Sequence, residues 1–445
     1  MSAVQLDPPL LEPRTDSPPS WDFVRRRFEN CRSLHSACRR FVSVGYTPSR
    51  LLDVGDDLGE SICLVGKEDV VGNEYATLSH CWGDGQIPRL AMDNENRFRK
   101  GVDTKDLPCT FADAVQVCRH LRIRYLWIDS LCIRQDSTED WAIESSRMKN
   151  TYASAVVNIA ASSAANSQDG LFFDRDPDLV SDRAFPADTY LCASHDKWTS
   201  VDELPLNRRG WVMQERLLSN RTLHFTSTEI FWQCRSQLSS ESVSDLFSTG
   251  FYPEDEGTIS GHMDLRGVLE EIQLHGAHAS CLQRFAAAWS RVVRRYSGCG
   301  LSYDSDKLVA LCGIVGEAEK VVGDECVAGH WKQQLPSSLC WMVFPQLPVP
   351  FSEKMPLPHR NQAAGERKRA QEWRAPTWSW ASMNCSVSPY WEKGERIINV
   401  VQVLEASACR NINGSLTSAK LRVQGALFEA KCEVGKENES PHRDV

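Results

Sequence analysis

A carboxylate on an apolar helix face is the first feature of this sequence that could do chemistry. Trp141, Glu144, Ser145 and Met148 follow one another at helical spacing, so they share one face of a predicted helix. A carboxylate that is desolvated and unpaired beside a Trp and a Met costs several kcal/mol. Glu144 is therefore either paired, with Arg147 or another arginine, or functional.

The segment before this helix places a second carboxylate. Residues 125–133 form a short, almost continuous apolar run that contains only one carboxylate, Asp129. Such a run is typical of a strand that is covered on both faces, as in a parallel sheet. Ser137 or Thr138 can cap the helix that follows, where the helix dipole favours the acidic residues of its first turn. Asp129 is therefore predicted inside a strand that leads into the helix of Glu144.

The surrounding elements alternate in a way that predicts an α/β fold. Strands are predicted at 75–81, 125–133 and 155–161, and helices at 110–122 and 138–152. This order implies a parallel sheet covered by helices. In such sheets, ligands bind outside the carboxyl ends of the strands. The loops at 80–83, 132–136 and 162–169 are therefore expected to meet at one edge, with Asp129 somewhat earlier in its strand.

His80 and Cys81 suggest a cysteine nucleophile with a histidine base. Successive strand residues point to opposite faces of a sheet, so this pair cannot act as a dyad with itself. We favour a structural role for Trp82 and Gly83, which shape the loop after the strand.

Composition excludes several classes of function. The chain has 445 residues and a net charge of -9, which argues against a nucleic-acid partner. No apolar run is long enough for a membrane span, and residues 1–20 lack the features of a secretory signal. The 17 cysteines include no C-x-x-C pair and are interpreted as reduced thiols. A cytoplasmic location is expected.

Three residues near the N-terminus fall at helical spacing and could ligate zinc. They are Cys31, His35 and Cys38, within a helix predicted from residue 21 to about residue 40. A zinc site needs a fourth ligand in most structural cases, and none is evident nearby. The favoured interpretation is that these side chains pack the helix against the next domain, so no metal is predicted.

The chain is predicted to contain four regions. These are a disordered N-terminus (1–20), an N-terminal helix and strands (21–71), the α/β domain (72–225) and a mixed α+β C-terminal region with long loops (226–445). In the last region, Arg291, Arg294 and Arg295 form a solvated face or a patch for an acidic partner. Trp378 and Trp380 alternate onto one face of a predicted extended segment, where closing the core is the commoner use of such residues.

Several motifs resemble the heterokaryon incompatibility (HET) domain of filamentous fungi. They are LSHCWG (78–83), LP.T..DA (107–114), YLWIDSLCIRQD (125–136), DW..E...M...Y..A (140–155), GL (170–171) and RGWVMQERLLS..T.HF (209–225). Arg134 stands where Ile is common. The resemblance implies a cytosolic protein of nonself recognition whose HET domain triggers growth arrest or cell death. It does not identify the partner or the trigger.

The HET domain is also distantly similar to Toll/interleukin-receptor (TIR) domains, which are flavodoxin-like. Some TIR domains cleave NAD with a helix-borne Glu, and D-W-x-x-E (140–144) resembles the segment that carries it. The resemblance implies NAD as a substrate and Glu144 as the catalytic residue. The residues expected to line the nucleotide pocket are Ser79, Trp82, Gly83, Asp129, Gln135 and Trp141.

Two alternatives remain open at this point. In the first, Glu144 stabilises the positive charge that develops as nicotinamide leaves. In the second, the domain does no chemistry and signals by self-association or by binding a protein sensor. The sequence does not separate an NAD glycohydrolase from an assembly module.

Overall fold

We describe a computed structural model of the chain. It describes residues 11–40, 45–55, 59–83, 87–180, 201–242, 247–248, 261–343, 369–389, 401–411 and 413–425.

One large mixed sheet organises the first half of the described residues. Its strands are β1 (Arg50–Asp53), β2 (Ser61–Gly66), β3 (Tyr75–Ser79), β4 (Val102–Asp103), β5 (Tyr125–Trp127), β6 (Val157–Ala161), β7 (Arg221–Phe225), β8 (Ile230–Cys234), β9 (Gln237–Ser240) and β10 (Phe247–Ser248). They lie in the order β10-β9-β8-β7-β6-β3-β5-β1-β2-β4.

Helices cover this sheet and form much of the second half. They are α1 (Pro18–Leu34), α2 (Ser36–Arg40), α3 (Glu95–Lys100), α4 (Cys109–His120), α5 (Asp129–Cys132), α6 (Thr138–Ser154), α7 (Pro177–Val180), α8 (Gly210–Leu218), α9 (Gly261–His275), α10 (Ala279–Ser297) and α11 (Cys312–Val322). Within the described ranges, none of them is long and apolar enough to cross a membrane.

The α/β prediction is confirmed, with a parallel centre and antiparallel flanks. β3 pairs in parallel with β5 and β6, and β6 pairs in parallel with β7. Taken in chain order, these four strands lie as 2-1-3-4, the order of flavodoxin-like sheets. β1 and β8 join antiparallel at the two sides. From β3 the chain passes to β5 on one side of it and then crosses to β6 on the other side. The switch point, at which the strand order reverses, therefore lies between β3 and β6.

The apolar run at 125–133 is not one strand. β5 ends at Trp127, and Asp129 opens the short helix α5. The Asp129 Oδ1 accepts the Ser130 N–H at 2.7 Å, which satisfies a donor at the helix start. A buried strand and a buried helical turn are both apolar on all sides, so periodicity did not separate them. The correction moves Asp129 out of the strand and onto the carboxyl edge of the sheet.

The N-terminal residues are part of the same fold. Residues 1–10 lie outside the described part, whereas residues 11–20, which the sequence suggested were disordered, are folded. The Thr15 N–H donates to Phe173 O at 3.1 Å, and Ser20 is buried. The prolines and serines here form the start of α1, where proline is well tolerated, and not a solvated tail. β1 and β2, from the predicted region 21–71, belong to the large sheet.

The C-terminal region combines helices with short antiparallel pairs. These are β11 (Cys326–Val327) with β12 (His330–Trp331), β13 (Trp341–Val343) with β14 (Val387–Pro389), and β15 (Val401–Arg410) with β16 (Leu416–Gly425). The last pair forms a hairpin around Gly414. The prediction of an extended segment that contains Trp378 and Trp380 (376–382) is wrong, since Trp380–Ser382 form a 3-10 helix. Trp380 is buried there, where its Nε1 donates to Gly329 O.

Candidate functional site

Buried polar side chains meet at the switch point of the sheet. Ser79 is the last residue of β3, and Asn158 lies in the neighbouring strand β6. The Ser79 Oγ donates to Asn158 Oδ1 at 3.1 Å, and Thr77 Oγ1 donates to the same oxygen at 3.0 Å. Ser79 and Asn158 are almost fully buried. Polar groups at this depth mark the place where such sheets bind ligands.

Asp129 brings a part-exposed carboxylate to this edge. The Trp82 Nε1 donates to Asp129 Oδ2 at 3.1 Å, and His80 Nδ1 lies 3.9 Å from Asp129 Oδ1. The Asp129 side chain keeps 24% of its surface exposed, while that of His80 keeps 1%. Asp129 therefore faces solvent or a ligand from a position fixed by Trp82.

Glu215 on α8 adds a buried carboxyl group. The Tyr152 hydroxyl hydrogen-bonds to it, Ser79 lies beside it, and Arg209 and Asp129 act on it through their charges. Its pKa is raised to about 7, chiefly by burial and in smaller part by the charge of Asp129, while the charge of Arg209 opposes the shift. A carboxyl group with this pKa exchanges its proton near neutrality, as a general base must.

His80 is held as a neutral imidazole. Burial lowers its pKa to about 4, and the nearby charge of Asp129 opposes that shift only in part. Its ring meets Phe111 edge-on, and its Nε2 has no hydrogen-bond partner among the described residues. Arg209 donates through one guanidinium nitrogen to the His80 carbonyl oxygen. We call the set Ser79, His80, Trp82, Asp129, Tyr152, Asn158, Arg209 and Glu215 the strand-end cluster.

Cys81 does not belong to this cluster. It packs with Ala160, Leu206 and Val212, and burial raises the pKa of its thiol. A buried thiol in an apolar setting is a weak nucleophile. This agrees with the decision not to assign His80 and Cys81 as a dyad.

The structure brings together part of the set suggested by the sequence. Ser79, Trp82 and Asp129 make direct or shared contacts at the strand ends, with Gly83 next to Trp82. The Gln135 side chain donates to the backbone oxygens of Asp129, at 3.2 Å, and Ile133, at 2.9 Å, so it braces α5.

Glu144 and Trp141 lie elsewhere on α6. Glu144 is buried, and its Oε1 accepts from Ser49 Oγ at 2.7 Å and pairs with Arg147 at 3.3 Å. Trp141 is half-buried and packs against the core. Among the described residues, no hydrogen bond or ion pair joins Glu144 or Trp141 to the strand-end cluster.

Four members of the cluster were missed from the sequence: Tyr152, Asn158, Arg209 and Glu215. Tyr152 stands eight residues after Glu144 and falls on another part of the α6 surface. Arg209 and Glu215 come from the RGWVMQE segment, which looked like the exit of the domain. The signal available in the sequence was a pair of opposite charges, Arg209 and Glu215, at the two ends of this segment. Only the fold brings the two side chains close to the end of β3.

Gly83 has a backbone conformation that favours glycine, and a substitution can test this requirement. Its φ is +70°, and an added Cβ would lie 2.4 Å from the Asn166 Cβ. We expect Gly83→Ala to lower the free energy of unfolding by about 2 kcal/mol, since strain and a clash add. Urea unfolding of wild type and variant measures this.

Gly55→Ala is the matched control for this experiment. Gly55 has a φ of +69°, but no atom of the described residues lies within 4 Å of an added Cβ. Its loss is expected to be about 1 kcal/mol, from strain alone. Equal losses for the two variants would contradict the clash at Gly83.

Comparison with known proteins identifies the domain that holds the cluster. No curated protein and no solved structure matches the chain. The family model described as "Heterokaryon incompatibility protein (HET)" matches residues 75–215, which run from the first residue of β3 to Glu215. Residues 75–215 therefore form a heterokaryon incompatibility (HET) domain, and this domain contains the strand-end cluster.

Proposed function

We propose that this protein acts in heterokaryon incompatibility by hydrolysing NAD at the strand-end cluster, and that NAD loss leads to growth arrest or cell death. The observation that carries the proposal is a pair of carboxyl groups at the switch point. Asp129 is part-exposed and held by Trp82, and its charge acts on the buried Glu215, whose pKa is about 7.

The reaction defines what the site must do. The bond between the ribose C1′ and the nicotinamide nitrogen breaks, and its electron pair goes to that nitrogen, which leaves neutral nicotinamide. Positive charge develops on the ribose in the transition state, as in glycoside hydrolysis. The oxygen of a water molecule then bonds to C1′ and loses one proton, which gives ADP-ribose.

The two carboxyl groups suit the two halves of this reaction. The exposed edge of Asp129 would face the ribose and stabilise its developing charge, because a fixed carboxylate there needs no reorganisation. Glu215 would accept the proton of the attacking water, because its pKa near neutrality lets it take and release a proton. The Tyr152 hydroxyl would hold the Glu215 carboxyl group in place.

Two further side chains suit a dinucleotide. Arg209 is a half-buried cation at the same edge and would pair with a phosphate. The half-buried indole of Trp82 offers an aromatic face, over which Arg89 lies at 5.2 Å from the ring centre. An anionic ligand with flat rings matches this combination.

Glu144 is the other candidate carboxylate, and its surroundings differ. It is buried, accepts from Ser49 and pairs with Arg147. These contacts favour the interpretation in which Glu144 anchors α6 to the segment before β1. We therefore assign the catalytic role to Asp129 and retain Glu144 as a comparison in the test.

The test is nicotinamide release from NAD by the purified full-length chain. Asp129→Asn is expected to lower the rate about tenfold or more, because a carboxylate at the developing charge is lost. Glu144→Gln is expected to release nicotinamide at the wild-type rate and to show only a lower free energy of unfolding. Glu139→Gln, an exposed position in the first turn of α6, is the matched charge control.

The same variants, produced from an inducible promoter at equal abundance, link chemistry to cell fate. NAD loss and death in wild type, both absent for Asp129→Asn, would support the proposal. Loss of turnover in Glu144→Gln with Asp129→Asn still active would move the catalytic role to Glu144. Death without NAD loss would instead favour an assembly module that binds a protein sensor.

A further inference from the structure

Three thiols and one imidazole lie close together at the end of β8, an antiparallel strand beside the parallel centre of the sheet. Cys31, Cys38 and Cys234 are buried and His35 is half-buried. One ligand atom from each side chain lies within 4.8 Å of the other three. The cysteines are free, and Cys234 Sγ lies 3.4 Å from His35 Nδ1.

The four groups come from two helices and a strand that is distant in sequence. Cys31 lies in the last turn of α1, His35 ends that helix, and Cys38 lies in α2. Cys234 is the last residue of β8, about 200 positions later in the chain. The sequence offered only the first three, and the fold supplies the missing fourth ligand.

We propose that this set, which we call the Cys3His site, binds a zinc ion that fastens α1 and α2 to β8. Three thiolates and one imidazole form one of the usual closed ligand sets of structural zinc. Bonds of about 2.3 Å to sulfur and about 2.0 Å to nitrogen give a tetrahedron with edges of about 3.5–3.8 Å. The longest separation in the set therefore closes by about 1 Å when zinc binds.

Arg221 provides the charge that such a site needs. Three thiolates and one Zn²⁺ leave one negative charge, which is costly in a buried position without a cation. Arg221 is buried, and its Nε donates to Cys31 Sγ at 3.1 Å. Its other contacts are the backbone oxygens of Val156, at 3.3 Å, and Cys38, at 3.5 Å. An N–H bond to a ligand sulfur stabilises the thiolate form.

Ser236 completes the surroundings of the site. Its Oγ lies 3.7 Å from Cys38 Sγ, within reach of a weak hydrogen bond to sulfur. The site is closed, because four protein ligands leave no position for a substrate. Its role is therefore structural, and it is independent of the NAD reaction proposed above.

The first experiment measures metal content of the full-length chain after expression in zinc-supplemented medium. We expect about one zinc ion per wild-type chain and almost none in His35→Ala or Cys234→Ser. His35 is half-buried, so its loss disturbs packing little. Cys118→Ser is the control, since Cys118 is fully buried in α4 outside the site and should retain zinc.

The second experiment separates metal binding from folding. Cobalt exchanged into the wild type should show thiolate charge-transfer bands and the d–d bands of a tetrahedral site. His35→Cys should retain the metal and gain thiolate absorption, as a four-cysteine site would. A wild-type chain that takes up neither metal, or one with an intact-mass signature of a Cys31–Cys234 disulfide, would overturn the proposal. Metal that persists in both His35→Ala and Cys234→Ser would do the same.

Discussion

Replacing Glu241 with Ala is expected to destabilise the protein by about 3–5 kcal/mol, because it leaves a buried guanidinium without its counter-charge. The side chains of Arg175 and Glu241 keep only 1% and 3% of their surface exposed. Two N–H···O bonds join them, at 2.6 Å and 3.1 Å. Urea unfolding followed by tryptophan fluorescence measures the loss.

The loss should spread beyond the pair, because Glu241 connects three parts of the chain. Its Oε1 accepts from Ser20 Oγ at 2.5 Å, and its Oε2 accepts the N–H of Ile230 at 2.7 Å. Arg175 also donates to the backbone oxygen of Glu12 at 2.8 Å. Amide exchange in residues 11–20 is therefore expected to rise in Glu241→Ala.

Two further variants identify the cause of the loss. The double variant Arg175→Met/Glu241→Leu should lose much less than the sum of the single changes, since no buried charge remains unpaired. Asp174→Ala breaks an ion pair of the same segment, Arg14–Asp174, which is exposed. It should leave the unfolding midpoint unchanged. A loss as large as that of Glu241→Ala would show that charge burial is not the cause.

The sequence predicted the centre of the fold because its signals there are local. Alternation of strands and helices, together with the cap at Ser137, gave β3, α4, α6 and β6 nearly in full. The Ser137 Oγ accepts the Asp140 N–H at 3.2 Å, as a cap should. Strands were also predicted within 21–71, but not their place in the sheet, because β1 joins it by pairing with the distant strand β5 (Leu52 opposite Leu126).

The candidate site was only partly predictable for the same reason. Trp82 lies in a loop after a predicted strand, so the rule for carboxyl ends placed it at this edge, whereas Asp129 was predicted inside its strand. Glu215 reaches them from a helix more than 80 residues beyond Asp129, and no spacing in the sequence reports that approach. Cys234 joins Cys31, His35 and Cys38 across an even longer separation. These residues meet only through tertiary contacts between distant segments, and the periodicity of the sequence does not predict such contacts.

Glu215→Gln is expected to make the protein more stable above neutral pH while it removes NAD hydrolysis. Burial raises the pKa of Glu215 from 4.5 in the unfolded chain to about 7 in the folded one. Between these values the folded state holds the proton that the unfolded state has released, so the free energy of unfolding falls as pH rises. Above about pH 7 the full penalty, on the order of 3 kcal/mol, is present.

The variant removes this penalty because a neutral amide replaces the carboxylate at nearly equal volume. Its oxygen can still accept from the Tyr152 hydroxyl, which hydrogen-bonds to the wild-type carboxyl group. We expect wild type and variant to unfold at the same urea concentration near about pH 4, and the variant to unfold at a higher one near about pH 8. Glu203→Gln, at an exposed position, carries the same charge change and should show no such divergence.

Asp129 offers an internal check on this interpretation, because its charge raises the pKa of Glu215. In Asp129→Asn, the pH at which the decline in stability ends should therefore move down from about 7, while the pH at which it begins stays the same. A Glu215→Gln variant that parallels wild type at every pH would mean that Glu215 is not the buried proton-binding group. A variant that gains stability and loses NAD turnover would instead mark Glu215 as a residue kept ionisable for function at a cost to the fold.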